Sequence, residues 1–144
     1  MVILPYTKEY KEQLKEIFTL NTPTFYSKAE LNDFISFLDK NQSTYYIIKS
    51  LGNLAGAGGY IYSDYTGRLI WNMINPAYKG QGLGKTLVSF CIEDLRRNFN
   101  VKKIEVLTSE HAQDFYAKFG FMPISKKPNF RGLGSDLYHM QRPI

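Results

Sequence analysis

Apolar runs, separated by proline, glycine and polar breaks, divide the chain into short elements. Runs with alternating or continuous apolar residues predict strands, and apolar residues spaced three and four apart predict helices. The predicted strands are 2–4, 44–49, 54–62, 68–74, 103–107, 121–127 and 136–142. The predicted helices are 7–20, a segment from the capping box Ser27–Glu30 through Leu38, 83–99 and 111–119. The three strands between 44 and 74 are expected to form an antiparallel meander.

The longest predicted helix, 83–99, has one apolar and one charged face. The apolar stripe consists of Leu83, Leu87, Val88, Cys91, Ile92 and Leu95. The residues expected to face water are Glu93, Asp94, Arg96 and Arg97. Cys91 is the only cysteine of the chain, which excludes an internal disulfide and a cysteine zinc cluster. Its place on the apolar stripe indicates a buried structural thiol.

Residues 70–88 combine a buried strand, a stop at Pro76, a glycine-rich turn and the start of the long helix. Gly80, Gly82 and Gly84 remove side chains where the backbone must turn tightly or approach a ligand. The first turn of the helix presents unpaired N–H groups and a positive dipole end at the same place. The sequence therefore predicts an anion site at this strand–loop–helix junction.

Spacing distinguishes three glycine-rich phosphate motifs at this junction. Gly84-Lys85-Thr86 supplies the end of a P-loop, but the first glycine of that motif would fall on Lys79. A dinucleotide-binding fingerprint starting at Gly80 would need glycine at position 85, which is Lys. Residues 79–84 instead fit a third pattern: a basic residue or Gln, two residues, Gly, one residue, then Gly or Ala.

Preceded by 74–76 and followed by an amphipathic helix, this segment resembles the pyrophosphate loop of the GNAT superfamily, the acetyl-CoA-dependent N-acetyltransferases. The predicted element order is also that of the GNAT fold, so the resemblance spans essentially the whole chain. It implies an α/β (α+β) fold, a central, mostly antiparallel mixed sheet with helices on both faces. It also implies acetyl-CoA as the acyl donor. The two histidines, His111 and His139, lie far apart with no matching Cys, Asp or Glu spacing, so no metal site is expected. The residues expected to hold the pyrophosphate are Lys79, Gly80, Gln81, Gly82, Leu83, Gly84, Lys85 and Thr86.

Residues 108–121 resemble the second signature of the family: Asn, two residues, Ala, and later Phe-Tyr-x-Lys-x-Gly-Phe. Ser109 stands where the family has Asn, whose side chain contacts pantetheine, and it is also a good helix N-cap. Tyr116 matches the tyrosine that often protonates the departing CoA thiolate. The alternative interpretation makes Tyr116 a core residue with its hydroxyl at the surface.

The resemblance places the oxyanion donor on a backbone N–H of the strand 68–74, at Met73 or Ile74. A bulge is expected there, which would splay this strand from 103–107 so that pantetheine pairs in the gap. Glycines 56, 58 and 59 in the preceding strand also indicate a bulge or a close neighbour. The strand 69–74 carries no carboxylate, so the general base stays open. The candidates are Glu30, Asp64, His139 or a water chain through Asn72 or Tyr62.

The expected acceptor is a primary amine, on a small molecule or a peptide. In this fold the helix 1–2 linker and the loop 128–135 build the acceptor pocket. The linker residues 24–26 read either as a lid over that pocket or as a packing turn. Residues 129–134 offer an aromatic ring and a cation, which would suit an acceptor with a carboxylate beside its amine, or simply a solvated loop.

Composition sets the remaining expectations. The 144 residues and the absence of an 18-residue apolar run predict one soluble, cytoplasmic domain, 1–144, without a membrane partner. The formal net charge of +5 suits a polyanionic ligand, but lysines and arginines occur in pairs, which argues against nucleic acid as a partner. Homodimers are common for the fold. A non-catalytic acyl-CoA-binding or regulatory module is the main alternative, and a nucleic-acid-binding domain is the weaker one.

Overall fold

The computed structural model describes residues 1–40, 44–128 and 136–144. Within these ranges lie seven strands: β1 Val2–Pro5, β2 Tyr45–Ser50, β3 Asn53–Ser63, β4 Thr66–Ile74, β5 Lys103–Ser109, β6 Met122–Lys127 and β7 Leu137–Pro143. The same ranges contain four α-helices: α1 Lys11–Leu20, α2 Leu31–Asp39, α3 Leu83–Asn98 and α4 Gln113–Ala117. The loop 129–134, considered above for the acceptor, lies outside the described residues.

The seven strands form one sheet in the order β1-β2-β3-β4-β5-β7-β6. Every neighbouring pair is antiparallel except β4 and β5, which run parallel. The crossover between these two strands contains α3. The mostly antiparallel mixed sheet and the meander of β2, β3 and β4 are therefore confirmed.

Helices cover the sheet on both sides, as predicted. The apolar faces of α1 and α2 pack against β2, β3 and β4, with Leu14, Phe18, Phe34, Ile47 and Met73 among the buried residues. On the other side the stripe of α3 packs against β4, β5 and β7, with Val88, Cys91, Leu95, Leu69, Ile104 and Met140. Burying such side chains contributes about 1.5–3 kcal/mol each, and this fixes both layers on the sheet.

The helix ends differ in detail from the prediction. The Ser27–Glu30 capping box is confirmed, because Glu30 Oε1 accepts from the backbone N–H of Ser27 at 3.1 Å. The last helix is shorter than predicted and begins at Gln113 rather than at 111. Ser109 does not cap it with its side chain, since only its backbone carbonyl accepts, from Ala112 N–H at 3.1 Å.

Asp94 corrects the prediction for the polar face of α3. It does not simply face water, because its Oδ2 accepts from the hydroxyls of Tyr46 at 2.8 Å and Tyr60 at 2.6 Å. Its Oδ1 accepts from Asn98 Nδ2 at 3.1 Å. Burial and the hydrogen bond to this carboxylate raise the pKa of Tyr46 to about 12. The carboxylate thus joins α3 to β2 and β3.

None of the helices in the described part of the chain has the length and apolar character needed to span a bilayer.

Candidate active site

A bulge interrupts β4 where it passes β3. Ala57 pairs with Met73, but Gly59 pairs with Ile70, so two residues of β4 lie opposite Gly58 alone. Those two residues are Trp71, which has a φ of 46°, and Asn72. A Cβ at position 58 would collide with the side-chain oxygen of Asn72, which explains the glycine there. The predicted bulge is confirmed, slightly earlier along the strand than Met73 or Ile74.

The bulge coincides with a separation of β4 from β5. The two strands pair only from Thr66 with Lys103 to Leu69 with Val106. Residues 70–74 of β4 and 107–109 of β5 lie beyond the last pair, and β5 continues to pair with β7 through Ser109. The sheet therefore opens a wedge-shaped gap on the side of the glycine-rich loop 79–84, as predicted.

Side chains from other elements hold the backbone carbonyls of this part of β4. Tyr45 OH donates to Trp71 O at 2.7 Å, and Tyr26 OH donates to Asn72 O at 2.9 Å. Asn21 Nδ2 donates to the carbonyl of Ile74 at 3.1 Å. The carbonyls around the bulge are thus satisfied without an adjacent β5 strand.

The N–H of Ile74 faces the gap. Asn75 N–H donates to Ala55 O of β3 at 2.7 Å, so it points away from β5. Successive backbone N–H groups of a strand point to opposite edges, which directs that of Ile74 toward the gap. The Asn21 contact to Ile74 O lies on the same edge. Of the two expected oxyanion donors, geometry therefore favours Ile74 over Met73.

The glycine-rich loop ends in an open helix N-terminus. Gly80 and Gly82 have φ values of 83° and 74°, which explains why both positions are glycine. The first i→i−4 bond of α3 runs from Thr86 N–H to Gly82 O at 3.0 Å. The N–H groups of residues 83–85 precede this bond and have no backbone acceptor among the described residues. Such free N–H groups at a helix N-terminus are suited to an anion, and the anion site at this junction stays a prediction.

A first cavity, of about 420 Å³, extends from this loop into the gap. It brings together nine predicted site residues: Met73, Ile74, Lys79, Gly80, Gly82, Leu83, Gly84, Lys85 and Tyr116. Three predicted residues do not line it. Gln81 accepts from Ser50 Oγ at 3.4 Å, and the Thr86 hydroxyl donates to Gly82 O at 3.0 Å. Ser109 is 1% exposed, and its Oγ has no hydrogen-bond partner among the described residues.

A second cavity, of about 290 Å³, lies on the other side of the gap, under the α1–α2 linker. Four residues line both cavities and define a throat between them: Phe25, Asn72, Ala112 and Tyr116. Phe25 packs under the ammonium of Lys79 at 4.7 Å and against His111 at 6.3 Å between ring centres. The linker is thus both a packing turn and a wall over the site.

Tyr116 is 5% exposed and stands in the throat. Burial raises the pKa of its phenol, while the neighbouring amide of Asn72 acts in the opposite direction. The phenol is consequently protonated at neutral pH and able to donate. Tyr116 is therefore a buried residue that also lines both cavities, and its role as the proton donor stays a prediction.

The structure separates the candidate bases. Glu30 is the one carboxylate among the described residues that line either cavity. Asp64 lies in the β3–β4 turn, at the far end of β4 from the gap, with a φ of 51°. His139 lines neither cavity and contacts Glu105, with 2.8 Å between Nε2 and Oε2. Tyr62 donates to Asn100 O at 2.9 Å, away from the throat, whereas Asn72 lies in it.

Sequence reasoning missed the contacts of Asn21 and Tyr45, and also the pair Arg68–Glu105. The first two act on carbonyls of β4 from other elements, and the last two meet only through strand pairing. No local spacing in the sequence signals such contacts.

Comparison with known proteins decides the family. The profile of the Acetyltransferase (GNAT) family matches residues 11–121. The chain belongs to this family. Its activity is acetyl-CoA-dependent N-acetylation, so the protein is an acetyltransferase. This confirms the resemblance that was drawn from the glycine-rich loop and the element order.

Relatives span nearly the whole GNAT domain. A Bacillus subtilis (strain 168) protein, named as a candidate ribosomal protein bS18-alanine N-acetyltransferase, is 32% identical over 126 residues, which cover 83% of this chain and 81% of that protein. A ribosomal-protein-alanine N-acetyltransferase from Brucella melitensis superposes with a TM-score of 0.81 at 16% identity, covering 100% of both chains. An aminoglycoside 6'-N-acetyltransferase complexed with coenzyme A gives 0.80 at 15% identity, covering 99% of this chain and 97% of that one. The two structures support the shared fold.

Proposed function

We propose that the protein transfers the acetyl group of acetyl-CoA directly to a primary amine while both substrates are bound. The observation that carries this proposal is the throat, where the two cavities meet at Asn72 and Tyr116 beside the gap. The first cavity, with its open helix N-terminus, suits the pyrophosphate and pantetheine of the donor. The second cavity is left for the amine.

Each step of the reaction then has a group beside it. The amine attacks the thioester carbonyl, and the N–H of Ile74 in the gap stabilises the oxyanion. When the C–S bond breaks, the protonated phenol of Tyr116 donates to the leaving thiolate. The attacking nitrogen must lose one hydrogen to become the amide, and this proton returns to the phenolate. Glu30 accepts the proton that the ammonium loses before attack, through water in the second cavity. The products are the acetylated amine and CoA.

The single thiol of the chain supports direct transfer. A double-displacement route would need a nucleophile in the throat to carry the acetyl group. Cys91 is 0% exposed in the core under α3 and lines neither cavity. Burial raises its pKa to about 12, so it holds its proton at neutral pH.

The name of the B. subtilis relative makes a peptide amino terminus the first acceptor to test. A ribosomal protein as the acceptor would also place the protein in the cytoplasm.

Two-substrate kinetics test the proposal. Direct transfer predicts intersecting double-reciprocal lines, and parallel lines would contradict it. In the same assay we expect Tyr116→Phe to lower kcat about 100-fold with little change in the affinity for acetyl-CoA. Tyr62→Phe is the matched control, because its hydroxyl contacts Asn100 O outside both cavities. Equal kcat values for Tyr116→Phe and wild type would remove the phenol from the mechanism.

A further inference from the structure

The second cavity carries a fixed cation that the reaction itself does not use. Arg68 lines this cavity and lies four residues before Asn72 of the throat. It pairs with Glu105 at the point where β4 and β5 begin to separate. The inference that follows concerns the acceptor and rests on the proposed function.

Arg68 is held in place from one side only. Its Nε and Nη2 both approach the same oxygen of Glu105, Oε1, at 2.9 and 2.7 Å. The other oxygen of that carboxylate is 2.8 Å from His139 Nε2. Burial alone would raise the pKa of Glu105, but hydrogen bonds from His139 and Arg68 and their charges outweigh it and lower the pKa. Glu105 therefore stays charged and fixes the guanidinium.

The outer edge of the guanidinium remains open to the cavity. A guanidinium has five N–H donors, and the contacts to Glu105 use the hydrogen of Nε and one hydrogen of Nη2. Both hydrogens of Nη1 and the second hydrogen of Nη2 are therefore available to a ligand. These have no partner among the described residues. The Arg68 side chain is 39% exposed, so a ligand can reach it. An immobilised fork of this kind is suited to a carboxylate.

Between Arg68 and the throat, the wall of the second cavity is largely apolar. Ile70, Trp71, Leu107 and Leu137 are among its walls. At ~3.3 Å per residue, the four residues from Arg68 to Asn72 span roughly 13 Å, which the bulge shortens to the order of 10 Å. An acceptor with its amine in the throat would meet Arg68 only through a group about that far away.

We propose that Arg68 is a specificity-determining residue that binds a carboxylate of the acceptor, remote from the reacting amine and joined to it by an apolar spacer. An α-amino acid, whose amine and carboxylate share one carbon, is too short to bridge throat and guanidinium. Two sources carry the required chemistry. One is an ω-amino carboxylic acid, and the other is a peptide whose carboxylate lies about three extended residues from its amino terminus.

Product binding tests this assignment without requiring turnover. Titration calorimetry, with CoA present, compares N-acetyl ω-amino acids of increasing chain length with their primary amides. At the length that spans the cavity, we expect the carboxylate to bind roughly 10- to 100-fold tighter than the amide. Acetylated tripeptides with a free or an amidated carboxyl end form the second arm, and the tighter set identifies the source.

Two variants isolate the cation from the ion pair. Arg68→Gln and Glu105→Gln both remove the Arg68–Glu105 ion pair, but only the first removes the positive charge. The preference for carboxylate over amide should vanish in Arg68→Gln and persist in Glu105→Gln. A preference that survives in Arg68→Gln, or carboxylates and amides that bind equally at every length in both arms, would overturn the inference. If carboxylate binding depends on Arg68 but no acetyl transfer is observed, the proposed function is rejected and the assignment of Arg68 stands.

Discussion

Replacing Gly82 by alanine tests whether the loop binds the cofactor through its backbone. Gly82 has φ 74° and ψ 14°, and a Cβ built there meets no atom within 4 Å. The cost of alanine is therefore conformational, about 1–2 kcal/mol for an L-residue in the left-handed region. Gly82 is also exposed, so the loop of the alanine variant can relax to another conformation while no ligand is bound. The conformational cost then arises only when CoA binds. We expect the Kd for CoA to rise about 5- to 30-fold.

Gly52→Ala provides the matched control. Gly52 has a φ of 82° and equally open surroundings, but it lies in the β2–β3 turn, held by the pairing of Ser50 with Asn53. The same conformational cost should therefore lower the free energy of unfolding by about 1–2 kcal/mol, and the Kd for CoA should not change. Calorimetric titration and urea denaturation of both variants separate the two outcomes. An unchanged Kd in Gly82→Ala would refute the assignment of the loop.

Two further substitutions test Glu30, which the structure separates from the other candidate bases, and Asp94, which it places against two tyrosines. Glu30→Gln keeps the capping-box acceptor, so the unfolding free energy should not change. Its kcat/KM near neutral pH should fall at least 100-fold. A pH–rate profile that overlaps the wild-type profile would exclude Glu30 as the base. Asp94→Ala should cost about 2–4 kcal/mol in urea denaturation, because two tyrosine hydroxyls lose their acceptor. Glu93→Ala, on the exposed face of the same helix, should change stability by less than ~0.5 kcal/mol, and an equal loss in both variants would contradict this reasoning.

The donor side of the site was predictable because its causes are local. Glycine at positions 80 and 82 is required by positive φ values of the chain itself, and the stripe of α3 follows from its own periodicity. The bulge was also foreseen, from the resemblance to the family, but it was expected at Met73 or Ile74 and lies at Trp71 and Asn72. Which residue of β4 lies opposite Gly58 depends on strand register, and no short stretch of sequence contains that information.

The surroundings of Asp94 in the core, and of Arg68 on the acceptor side, depend on contacts between distant parts of the chain. Periodicity placed Asp94 on the water-facing side of α3, yet tyrosines on β2 and β3 are long enough to reach it. Arg68 and Glu105 are 37 residues apart and meet because β4 and β5 pair in one particular register. The expectation that Asp94 simply faces water fails once the strands are assembled.

The gap in the sheet is stable because other elements replace the ladder bonds that β4 cannot make. An unsatisfied buried carbonyl costs about 1–3 kcal/mol, so three of them would cost ~3–9 kcal/mol. That is comparable to the ~5–15 kcal/mol that stabilises a typical protein. Tyr26 and Asn21, which bind two of these carbonyls, also belong to the linker region over the cavities. These linker residues therefore also hold β4, the strand that carries the proposed oxyanion donor, Ile74. A change in the linker is consequently expected to affect the binding of both substrates.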